Sequence, residues 1–450
     1  MAKLTSLEDA AKAFGSRPRI ESFESPKWGI PQDQSSDCAP AINAMLASVP
    51  PGTAIYVPGK TYMVKTPVIM RDGVEIFNPS SQLKEVEWGG QGIPLIKADA
   101  PMGAVITDAG GTLNKSGING VNISGGNFAK RGVYWHMANS CIVANCQINV
   151  VIDEYIVIDD GSASSIDNVQ GLNGMQSTYT SDVASFDLGG YDQYIARVEV
   201  SGNPVTWPSW KSSGHQIGIR FRGTNAFIDK CVSEFFETGV KVTGNLNHIT
   251  SVRADHVAGH GWVIDGGSNG IVGCSVDRAG QQTAATYSAF QVTGFRNIVS
   301  APHVDMASGS LKYIYEDGSA GGTALAMRNE WTGLGACPDY TDSFFKADGW
   351  AGSAPQLSRH VQRPPAGANV IDATNAGIIL LDSGGSSVNL DTIKGGSNGQ
   401  VIDVISDGGY TLKSWACKTR TGADMPMPAG LPITLVFVND TDGGTWYMRG

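Results

Sequence analysis

The sequence predicts an all-β protein whose main body is a right-handed parallel β-helix. The first observation is composition: 57 of the 450 residues are Gly, and only 16% of the chain is charged. The second is a repeat of 21 to 28 residues, and the third is the alternation of apolar and polar residues in short runs within each repeat. Together they indicate many short strands joined by turns, stacked as a solenoid.

The clearest repeats lie between residues 225 and 318. Each starts near an Asn, passes through an alternating strand and a variable loop, and ends with a second strand and a Gly. The closing glycines, Gly223, Gly244, Gly266, Gly294 and Gly318, are 21, 22, 28 and 24 residues apart. Two or three short strands per unit are typical of a β-solenoid, in which each rung buries its inner side only against its neighbours.

Alignment of the repeats places apolar or small residues at shared inward positions. The three positions hold Ile228, Ile249, Ile271 and Ile298; Cys231, Val252 and Cys274; and Ser233, Ala254, Val276 and Val304. A slip of one residue would turn each set outward, so the pattern defines the register. We therefore expect the two cysteines to be small core residues. Trp262, which alternates with the core positions, is expected to be a surface or lateral packing residue rather than a binding residue.

The region before the β-helix, residues 1–90, is predicted to form an N-terminal cap. Asp37 is a plausible N-cap of a helix, and Ala41, Ile42, Met45 and Leu46 form its apolar stripe. A strand, a Pro-Gly turn and a second strand follow. Such a helix would cover the open end of the solenoid core.

The predicted β-helix spans residues 91–337, with loops of unequal length at 165–191, 202–216 and 278–288. In solenoids such insertions gather on one face, often the binding face. Residues 338–368 are rich in Pro, Gly, Ser and Ala and are predicted to be a connector. Regularly spaced short β-runs from 369 to 450 predict a small C-terminal β-sandwich.

Composition also excludes several functions. The formal net charge of -10 argues against a nucleic-acid partner. No apolar run is long enough to span a membrane, and the first residues lack the apolar stretch of a secretory signal. The seven cysteines form no CxxC pair, so neither a zinc site nor a disulfide framework is expected. We predict no metal and no cofactor.

Residues 21–80 resemble the start of the pectate-lyase-like superfamily. The match runs from Gly29 to Ala47, through Ala54 to Gly59, and then through Thr61, Tyr62, Val64, Pro67, Gly73 and Val74. It departs from the family at Pro31 to Asp37, where a Gly-Asp-Gly is usual. Residues 399–406, 433–440 and 443–450 resemble the small β-domain that ends many bacteriophage tailspikes.

The resemblance implies a right-handed β-helix and an activity on polysaccharides. Tailspike depolymerases are homotrimers that cut capsular or O-antigen polysaccharide. The resemblance therefore implies a bacterial surface polysaccharide as partner, a homotrimer, and possible contacts with other phage tail or adaptor proteins. It also implies a protein made in the host cytoplasm and carried on the virion tail. The superfamily contains hydrolases, lyases, esterases and epimerases, so the chemistry must be argued from the site.

A column of carboxylates supplies the candidate chemistry. The alignment puts Glu234, Asp255 and Asp277 at one outward position on three consecutive rungs, with Asp305 after a one-residue bulge. Neighbouring members should lie about 5 Å apart and alternate members about 10 Å apart. These spacings bracket the retaining and inverting geometries of glycoside hydrolysis. The alternative is that the carboxylates only bind backbone amides at the turns that follow them.

The predicted catalytic residues are Glu234, Glu237, Asp255 and Asp277. The predicted substrate-binding residues are Trp207, Trp210, His215, His256, Arg278 and Tyr287. The indoles offer flat apolar faces for sugar rings, although they are equally suited to pack their loop onto the rungs. A second choice for catalysis is the acidic group Asp153, Glu154, Asp159 and Asp160.

Three functions compete on this sequence. The first is hydrolysis of internal glycosidic bonds. The second is elimination on a uronate-containing glycan, with Arg253, His256 and Arg278 supplying base and neutraliser. The third is adhesion by a non-catalytic receptor-binding fibre. A purely structural β-helix is disfavoured, because a scaffold has no need of unequal loops.

Overall fold

The structure is a computed structural model that describes residues 19–79, 93–172, 174, 179–202, 215–280, 286–305, 311, 313–317, 330–332, 345–347, 361–373, 376–396, 400–419, 422–438 and 444–448. It divides into two compact units. The first contains residues 1–292 and 304–314, and the second contains residues 293–303 and 315–450. Trp207, Trp210 and Gly318 lie outside the described residues.

The described strands are, in chain order, β1 (Arg19–Ser22), β2 (Thr53–Tyr56), β3 (Thr61–Val64), β4 (Val68–Ile69), β5 (Val74–Phe77), β6 (Leu95–Ala98), β7 (Met102–Thr107), β8 (Thr112–Asn114), β9 (Gly117–Asn119), β10 (Asn122–Ser124), β11 (Ala129–Asn139), β12 (Ile142–Asn149), β13 (Glu154–Ser162), β14 (Ser165–Leu172), β15 (Val183–Leu188), β16 (Tyr194–Ser201), β17 (Gln216–Phe221), β18 (Phe227–Asp229), β19 (Val232–Glu234), β20 (Thr238–Val242), β21 (His248–Thr250), β22 (Arg253–Asp255), β23 (Trp262–Ile264), β24 (Gly270–Val272), β25 (Ser275–Asp277), β26 (Ser288–Val292), β27 (Ile298–Ser300), β28 (His303–Asp305), β29 (Tyr313–Asp317), β30 (Glu330–Thr332), β31 (Phe345–Ala347), β32 (Val361–Gln362), β33 (Val370–Asp372), β34 (Ile378–Leu381), β35 (Val388–Leu390), β36 (Thr392–Lys394), β37 (Val401–Ser406), β38 (Tyr410–Leu412), β39 (Met425–Pro426), β40 (Pro432–Val438) and β41 (Thr445–Met448). A 3-10 helix (Pro26–Trp28) and one α-helix, α1 (Ala39–Ser48), precede β2.

The strands of the first unit pair in parallel, rung upon rung, in three stacks. Stack 1 contains β4, β7, β8, β11, β13, β15, β17, β20, β23 and β26; stack 2 contains β1, β2, β5, β9, β18, β21 and β24; stack 3 contains β3, β6, β10, β19, β22 and β25. The longer strands β12, β14 and β16 bend so that each contributes to stacks 2 and 3. The predicted right-handed parallel β-helix is confirmed, and its ladder includes strands upstream of residue 91.

The bend between stacks 2 and 3 is made by residues in the left-handed backbone region. Asn145 and Asn168 occupy it with φ near +55°, a conformation that Asn tolerates better than most residues. Their side chains form a ladder: the Asn168 amide donates to Asn145 Oδ1 at 2.8 Å, and the Asn145 amide donates to Asn119 Oδ1 at 2.9 Å. The ladder ties three successive rungs together at this bend.

The core register largely follows the aligned repeats. Ile228, Ile249 and Ile271 are paired in register and buried, as are Ser233, Ala254 and Val276. Cys231, Val252 and Cys274, each two residues before a member of the latter set, are buried as well. The expectation for Ile298 is wrong, because it is 47% exposed and Val299 is buried instead. The repeat is one residue longer there than the alignment allowed.

Trp262 is fully buried, so of the two expected roles the structure shows a packing residue and not a surface one. It stands in register between Val240 and Phe290, both inward residues of stack 1. Its ring is stacked on that of Phe290 with 5.8 Å between ring centroids, and its indole N–H donates to the Ser275 carbonyl at 3.3 Å. The indole therefore packs inside the solenoid, where its one polar group finds a partner.

The closing glycines stack where neighbouring backbones approach most closely. A Cβ on Gly244 would lie 1.8 Å from the carbonyl oxygen of Gly223, and one on Gly266 would lie 1.8 Å from that of Gly244. No side chain fits at that distance, so the repeat of Gly at this position is a steric requirement of the rung spacing.

Helix α1 packs on the first strand of stack 1. Its buried side includes Ile42, Met45 and Leu46, as the apolar stripe predicts. Asn43 binds the backbone beside β4 by donating to the Pro67 carbonyl and accepting from the Ile69 N–H. The N-cap is Cys38 rather than Asp37. No helix in the described ranges is long and apolar enough to cross a membrane.

The C-terminal part of the second unit consists of three small sheets around one core. One sheet orders its strands β32-β34-β37-β40-β41, and the others are β33-β36 and β35-β38-β39. In the first sheet, β34 pairs in parallel with β32 and β37, whereas β40 pairs antiparallel with β37 and β41. Ile379, Ile402, Leu435 and Trp446 are buried between them. The small β-domain predicted for residues 369–450 thus contains both parallel and antiparallel strand pairs.

Candidate functional site

The predicted carboxylate column is present on stack 3. Strands β19, β22 and β25 pair so that Glu234 stands opposite Asp255 and Asp255 stands opposite Asp277. Ser201 occupies the same position on the preceding rung. The residue before each carboxylate is inward and buried, so the acidic side chains lie on the outer side of the β-helix.

A second column follows directly at the bend into stack 1. Phe235, His256 and Arg278 each come after a column carboxylate, and their φ angles are +61°, +48° and +53°. Their side chains are stacked in turn. The rings of Phe235 and His256 have centroids 5.0 Å apart, and Arg278 Nη1 lies 2.6 Å from His256 Nε2. The left-handed backbone thus brings one aromatic ring, one imidazole and one guanidinium beside the carboxylates.

Asp255 is the least accessible member of the column, with 9% of its side chain exposed. Its Oδ2 lies 3.3 Å from Arg253 Nη2, and its Oδ1 lies 2.6 Å from His256 Nδ1. The second contact has the distance of an ion pair without full hydrogen-bond geometry. Two nitrogen-bearing side chains therefore surround a nearly buried carboxylate.

The other two carboxyls hold their protons more tightly than usual. Burial raises the pKa of Glu234, and the charges of Asp255 and Glu199 raise it further. Burial likewise raises the pKa of Asp277, and the charge of Asp255 adds to the effect. Raised carboxyl pKa values beside a third carboxylate are characteristic of acid–base sites.

Three long insertions fall at the same bend as this column. They separate β14 from β15, β16 from β17, and β25 from β26, each a passage from stack 3 to stack 1. The insertion that carries the two tryptophans begins after Ser201. Its flanks are tied to the next rung, since the Gly202 N–H donates to the Glu234 carbonyl and the His215 N–H donates to Glu237.

Glu237 stands apart from the column. It is buried, and its Oε2 accepts hydrogen bonds from the backbone N–H groups of His215 at 2.8 Å and Gln216 at 3.1 Å. The carboxylate thereby fixes the start of β17. This is the backbone-binding role that was the alternative for all the carboxylates, and it removes Glu237 from the acidic column.

The predicted binding residues divide into two groups. His256 and Arg278 lie beside the carboxylates. His215 and Tyr287 lie at the stack 1 side of the bend, where His215 Nδ1 is 3.1 Å from Asp182 Oδ1. The ring of Tyr287 packs edge-on against that of His260, with 5.2 Å between centroids. Burial raises the pKa of Tyr287, and the Glu237 charge adds to this.

A polar cluster on the outer side of stack 1 has no signal in the sequence. Asp187 is buried between Arg220, which binds it through two nitrogens at 2.7 and 2.9 Å, and Arg222 at 2.7 Å. The Tyr134 hydroxyl donates to Asp159 at 2.7 Å. Partners 25 to 35 residues apart along the chain can be recognised only once the rung register is known.

The acidic run that was the second choice for catalysis lies on or beside stack 1. Glu154 is paired with Arg131, Asp153 accepts from Tyr179, and Asp159 belongs to the cluster just described. Within the described ranges, no group of three or more His, Cys, Asp and Glu side chains is arranged to hold a metal ion.

No family model matches the sequence, and no curated protein matches it. Solved structures to which the chain is similar include ORF18 of Geobacillus virus E2 (14% identity, TM-score 0.44), DFA-IIIase from Arthrobacter chlorophenolicus A6 in complex with GF2 (15%, 0.46) and the Dettilon tailspike protein gp208 (14%, 0.45). The alignments cover 68%, 70% and 87% of this chain and 66%, 94% and 66% of those chains. The chain thus spans about two thirds of ORF18 and of the Dettilon tailspike. It is, by the register of its own strands, a right-handed parallel β-helix protein.

Proposed function

We propose that the chain is a bacteriophage tailspike that hydrolyses internal glycosidic bonds of a bacterial capsular or O-antigen polysaccharide. The observation that carries the proposal is the in-register column of Glu234, Asp255 and Asp277 at the bend that bears the insertions. A column of like charges is unfavourable in a sheet. Its presence beside three insertions is explained if the carboxyls act on a ligand held there.

Accessibility assigns the roles. About a quarter of each of the Glu234 and Asp277 side chains is exposed, whereas Asp255 is nearly buried. The reacting pair is therefore Glu234 and Asp277. Two rungs separate them, or about 10 Å between backbone positions, which is close to the spacing of inverting glycosidases and too wide for a retaining pair.

In the proposed reaction Asp277 is the general acid and Glu234 the general base. Asp277 gives its proton to the glycosidic oxygen as the bond to the anomeric carbon breaks. Glu234 takes a proton from the water whose oxygen bonds to that carbon from the opposite side. The step leaves Asp277 ionised and Glu234 protonated, and exchange with solvent restores the starting state.

The insertions supply the surface for the glycan. Trp207 and Trp210 belong to a loop whose two flanks are tied to the Glu234 rung. Aromatic side chains bind sugar rings at little entropic cost. His215 and Tyr287, on the stack 1 side of the same bend, complete the proposed binding surface.

The test is digestion of capsular polysaccharide and lipopolysaccharide from a panel of bacterial strains, followed by sizing of the products. Hydrolysis predicts shortened chains on at least one strain, with new reducing ends and no ultraviolet-absorbing product. Stable binding to one strain without any shortening would instead identify an adhesion fibre.

A second candidate is elimination on a uronate-containing glycan. It is favoured by the two arginines and the imidazole around the column, Arg253, His256 and Arg278, which are the kinds of group that neutralise a uronate and move its proton. An unsaturated product absorbing in the ultraviolet would replace hydrolysis with this reaction.

We further propose a homotrimer borne on the virion tail. Its support is an exposed apolar column on stack 2, away from the carboxylates, in which Tyr194 and Phe227 are neighbours and each is about half exposed. Leu246, two residues before the His248 that pairs with Phe227, is similarly exposed. Contiguous apolar surface of this kind marks protein interfaces more often than free solvent-facing surface.

A further inference from the structure

Two amide side chains on strand β12 lack the hydrogen bonds that buried polar groups ordinarily make. Gln147 is only 7% exposed, and within the described ranges its amide has no hydrogen-bond partner. Asn149 Oδ1 is buried and likewise has no partner among the described residues. Both side chains lie on the outer side of the β-helix, because Cys146 and Ile148 alternate with them and are buried in the core. Unpaired groups of this kind are unfavourable unless a ligand or water pairs with them.

These amides stand on the same outer surface of stack 3 as the carboxylate column. Gln147 is opposite Gln170, and Gln170 is opposite Glu199. Glu199 in turn is opposite Val232, which lies two residues before Glu234 on β19. Three rung steps separate β12 from β19, so about 14 Å of surface connects the unpaired amides with the first carboxylate of the column.

Polar contacts make this surface continuous. Gln170 Nε2 donates to Glu199 Oε2 at 3.2 Å, so the amide of the second rung is paired in the way that Gln147 is not. Glu199 lies near enough to Glu234 for its charge to raise the pKa of that carboxyl. The charge of the surface therefore changes along the helix axis, from uncharged amides on β12 and β14 to carboxylates from β16 onward.

One of the three insertions borders the amides. The passage from β14 to β15 begins directly after Leu172, which is opposite Asn149. Near its other end, the Tyr179 hydroxyl lies 3.1 Å from the carbonyl oxygen of Ile152, three residues after β12. The insertion thus starts at the β14 rung and returns to the β12 rung, and the unpaired amides lie beside it.

We propose that Gln147 and Asn149 form a subsite that binds an uncharged sugar residue of the polysaccharide, three rungs before Glu234. The inference rests on the proposed function and names its substrate class, a glycan with a neutral hexose or an N-acetylhexosamine at this distance from the cleaved bond. An amide offers both a donor and an acceptor, as sugar hydroxyl and acetamido groups do. A uronate is disfavoured there, because the outward residues of β12 and β14 in stack 3 supply no cation and Glu199 would repel it.

The first test needs no ligand. Gln147→Met keeps the length of the side chain and removes an amide that has no partner, so the urea midpoint of unfolding should not fall below that of the wild type. Gln170→Met is the matched control, because it removes an amide that is paired with Glu199 and should lower the midpoint. A fall in Gln147→Met as large as that in Gln170→Met would assign Gln147 a structural role and overturn the proposal.

The second test measures binding of a polysaccharide from the strain panel to which the wild type binds. Gln147→Met should weaken binding roughly fivefold, the effect of one lost hydrogen bond between uncharged groups. If the polysaccharide is cut, KM should rise by the same factor while kcat is unchanged, because the subsite is remote from the reacting bond. Gln291→Met, the same substitution on the outer side of β26 in stack 1, should leave binding unchanged.

The outcomes separate this inference from the proposed hydrolysis. Unchanged affinity in Gln147→Met, for a polysaccharide that the protein cuts, would refute the subsite and leave hydrolysis intact. A polysaccharide that is bound but not cut, with affinity lost in Gln147→Met, would refute hydrolysis and support the subsite. Sugar analysis of the bound polysaccharide should find a neutral hexose or an N-acetylhexosamine. A glycan composed only of uronates, or no binding to any member of the panel, would overturn the inference.

Discussion

At the scale of single residues, the acidic column concentrates charge where a parallel sheet ordinarily avoids it. Glu234, Asp255 and Asp277 face one another across rungs about 4.8 Å apart. Burial and the neighbouring carboxylates raise the pKa values of Glu234 and Asp277, and the nitrogen groups beside them offset this rise only in part. Repulsion between these carboxylates should make the protein less stable than a variant that carries an amide in the column.

Asp277→Asn should therefore stabilise the folded protein at pH 7, by roughly 0.5 kcal/mol. The pKa of Asp277 is raised on folding, so the folded state holds more protons than the unfolded state from about pH 4 up to that raised value. The free energy of unfolding of the wild type therefore decreases as the pH rises through this window. Asn does not titrate, so the Asp277→Asn variant does not lose this stability. The measurement is chemical unfolding at pH 7 and pH 3, where the gain should vanish.

Asp229→Asn is the matched control, because Asp229 lies on the same rung as Glu234 but its pKa is lowered by a hydrogen bond from Thr250. Its substitution should give no stabilisation at pH 7. Stabilisation of equal size in both variants would show that general charge reduction, rather than the column, is responsible.

The spacing of Glu234 and Asp277 predicts the stereochemistry of the product. Water activated by Glu234 attacks from the side opposite to the bond that Asp277 protonates, so the anomeric configuration should be inverted. Proton NMR of the reducing ends within the first minutes of digestion measures it. Products that first appear with retained configuration would replace this pair with adjacent carboxyls, Glu234 and Asp255 or Asp255 and Asp277.

The sequence predicts those site residues whose positions follow from the repeat, but not those whose contacts depend on side-chain direction. The column follows from the repeat period alone, so Glu234, Asp255 and Asp277 can be aligned by eye. The contact of His256 with Arg278 cannot, because it depends on the direction that a left-handed bend gives to each side chain. Glu237 is close to the column in sequence, but the chain has already turned toward stack 1 there, so proximity along the chain wrongly predicts that it belongs to the column.

At the scale of the elements, the rung is the unit of stability. Each rung is closed by a Gly over which the next backbone passes, and the fit is tightest at Gly244 and Gly266. The sequence repeat reveals this position directly. The repeat predicts the inward residue wrongly where the length of a rung changes, as at Ile298. It also does not decide whether an aromatic residue such as Trp262 packs inside or outside the solenoid, because residue type alone does not distinguish the two.

Gly266→Ala should destabilise the protein by about 2 to 3 kcal/mol, because the new methyl group would meet the Gly244 carbonyl oxygen. Gly270→Ala, four residues later at the start of the next rung, is the control. A Cβ there meets only His248 Nδ1 at 3.9 Å, so stability should be nearly unchanged. Equal unfolding midpoints for the two variants would contradict the proposed steric role of the glycine column.

At the scale of the whole molecule, the three stacks differ in character. Stack 3 carries the acidic column and borders the insertions, stack 1 carries the Arg and Asp cluster around Asp187, and stack 2 exposes apolar side chains. The sequence predicted the solenoid and its unequal loops. The sequence does not predict which strand belongs to which stack, because inward and outward residues alternate in the same way in all three stacks.

The apolar side of stack 2 predicts self-association. The double variant Phe227→Lys, Leu246→Asn should sediment as a chain of 47.3 kDa, whereas wild type should sediment at three times that mass. Asn suits the φ of +58° at position 246, so the backbone is not strained. Val401→Lys, at an exposed apolar residue of the second unit, should leave the mass unchanged. A wild-type monomer would refute the trimer.

The central claim is that the carboxylate column cuts the glycan to which the protein binds. It is tested most directly by the double variant Asp255→Asn, Asp277→Asn, measured for both cleavage and binding of a polysaccharide that the wild type digests. The column predicts that cleavage falls at least about a thousandfold, while binding stays within a few fold. Cleavage at the wild-type rate by a folded double variant would contradict it.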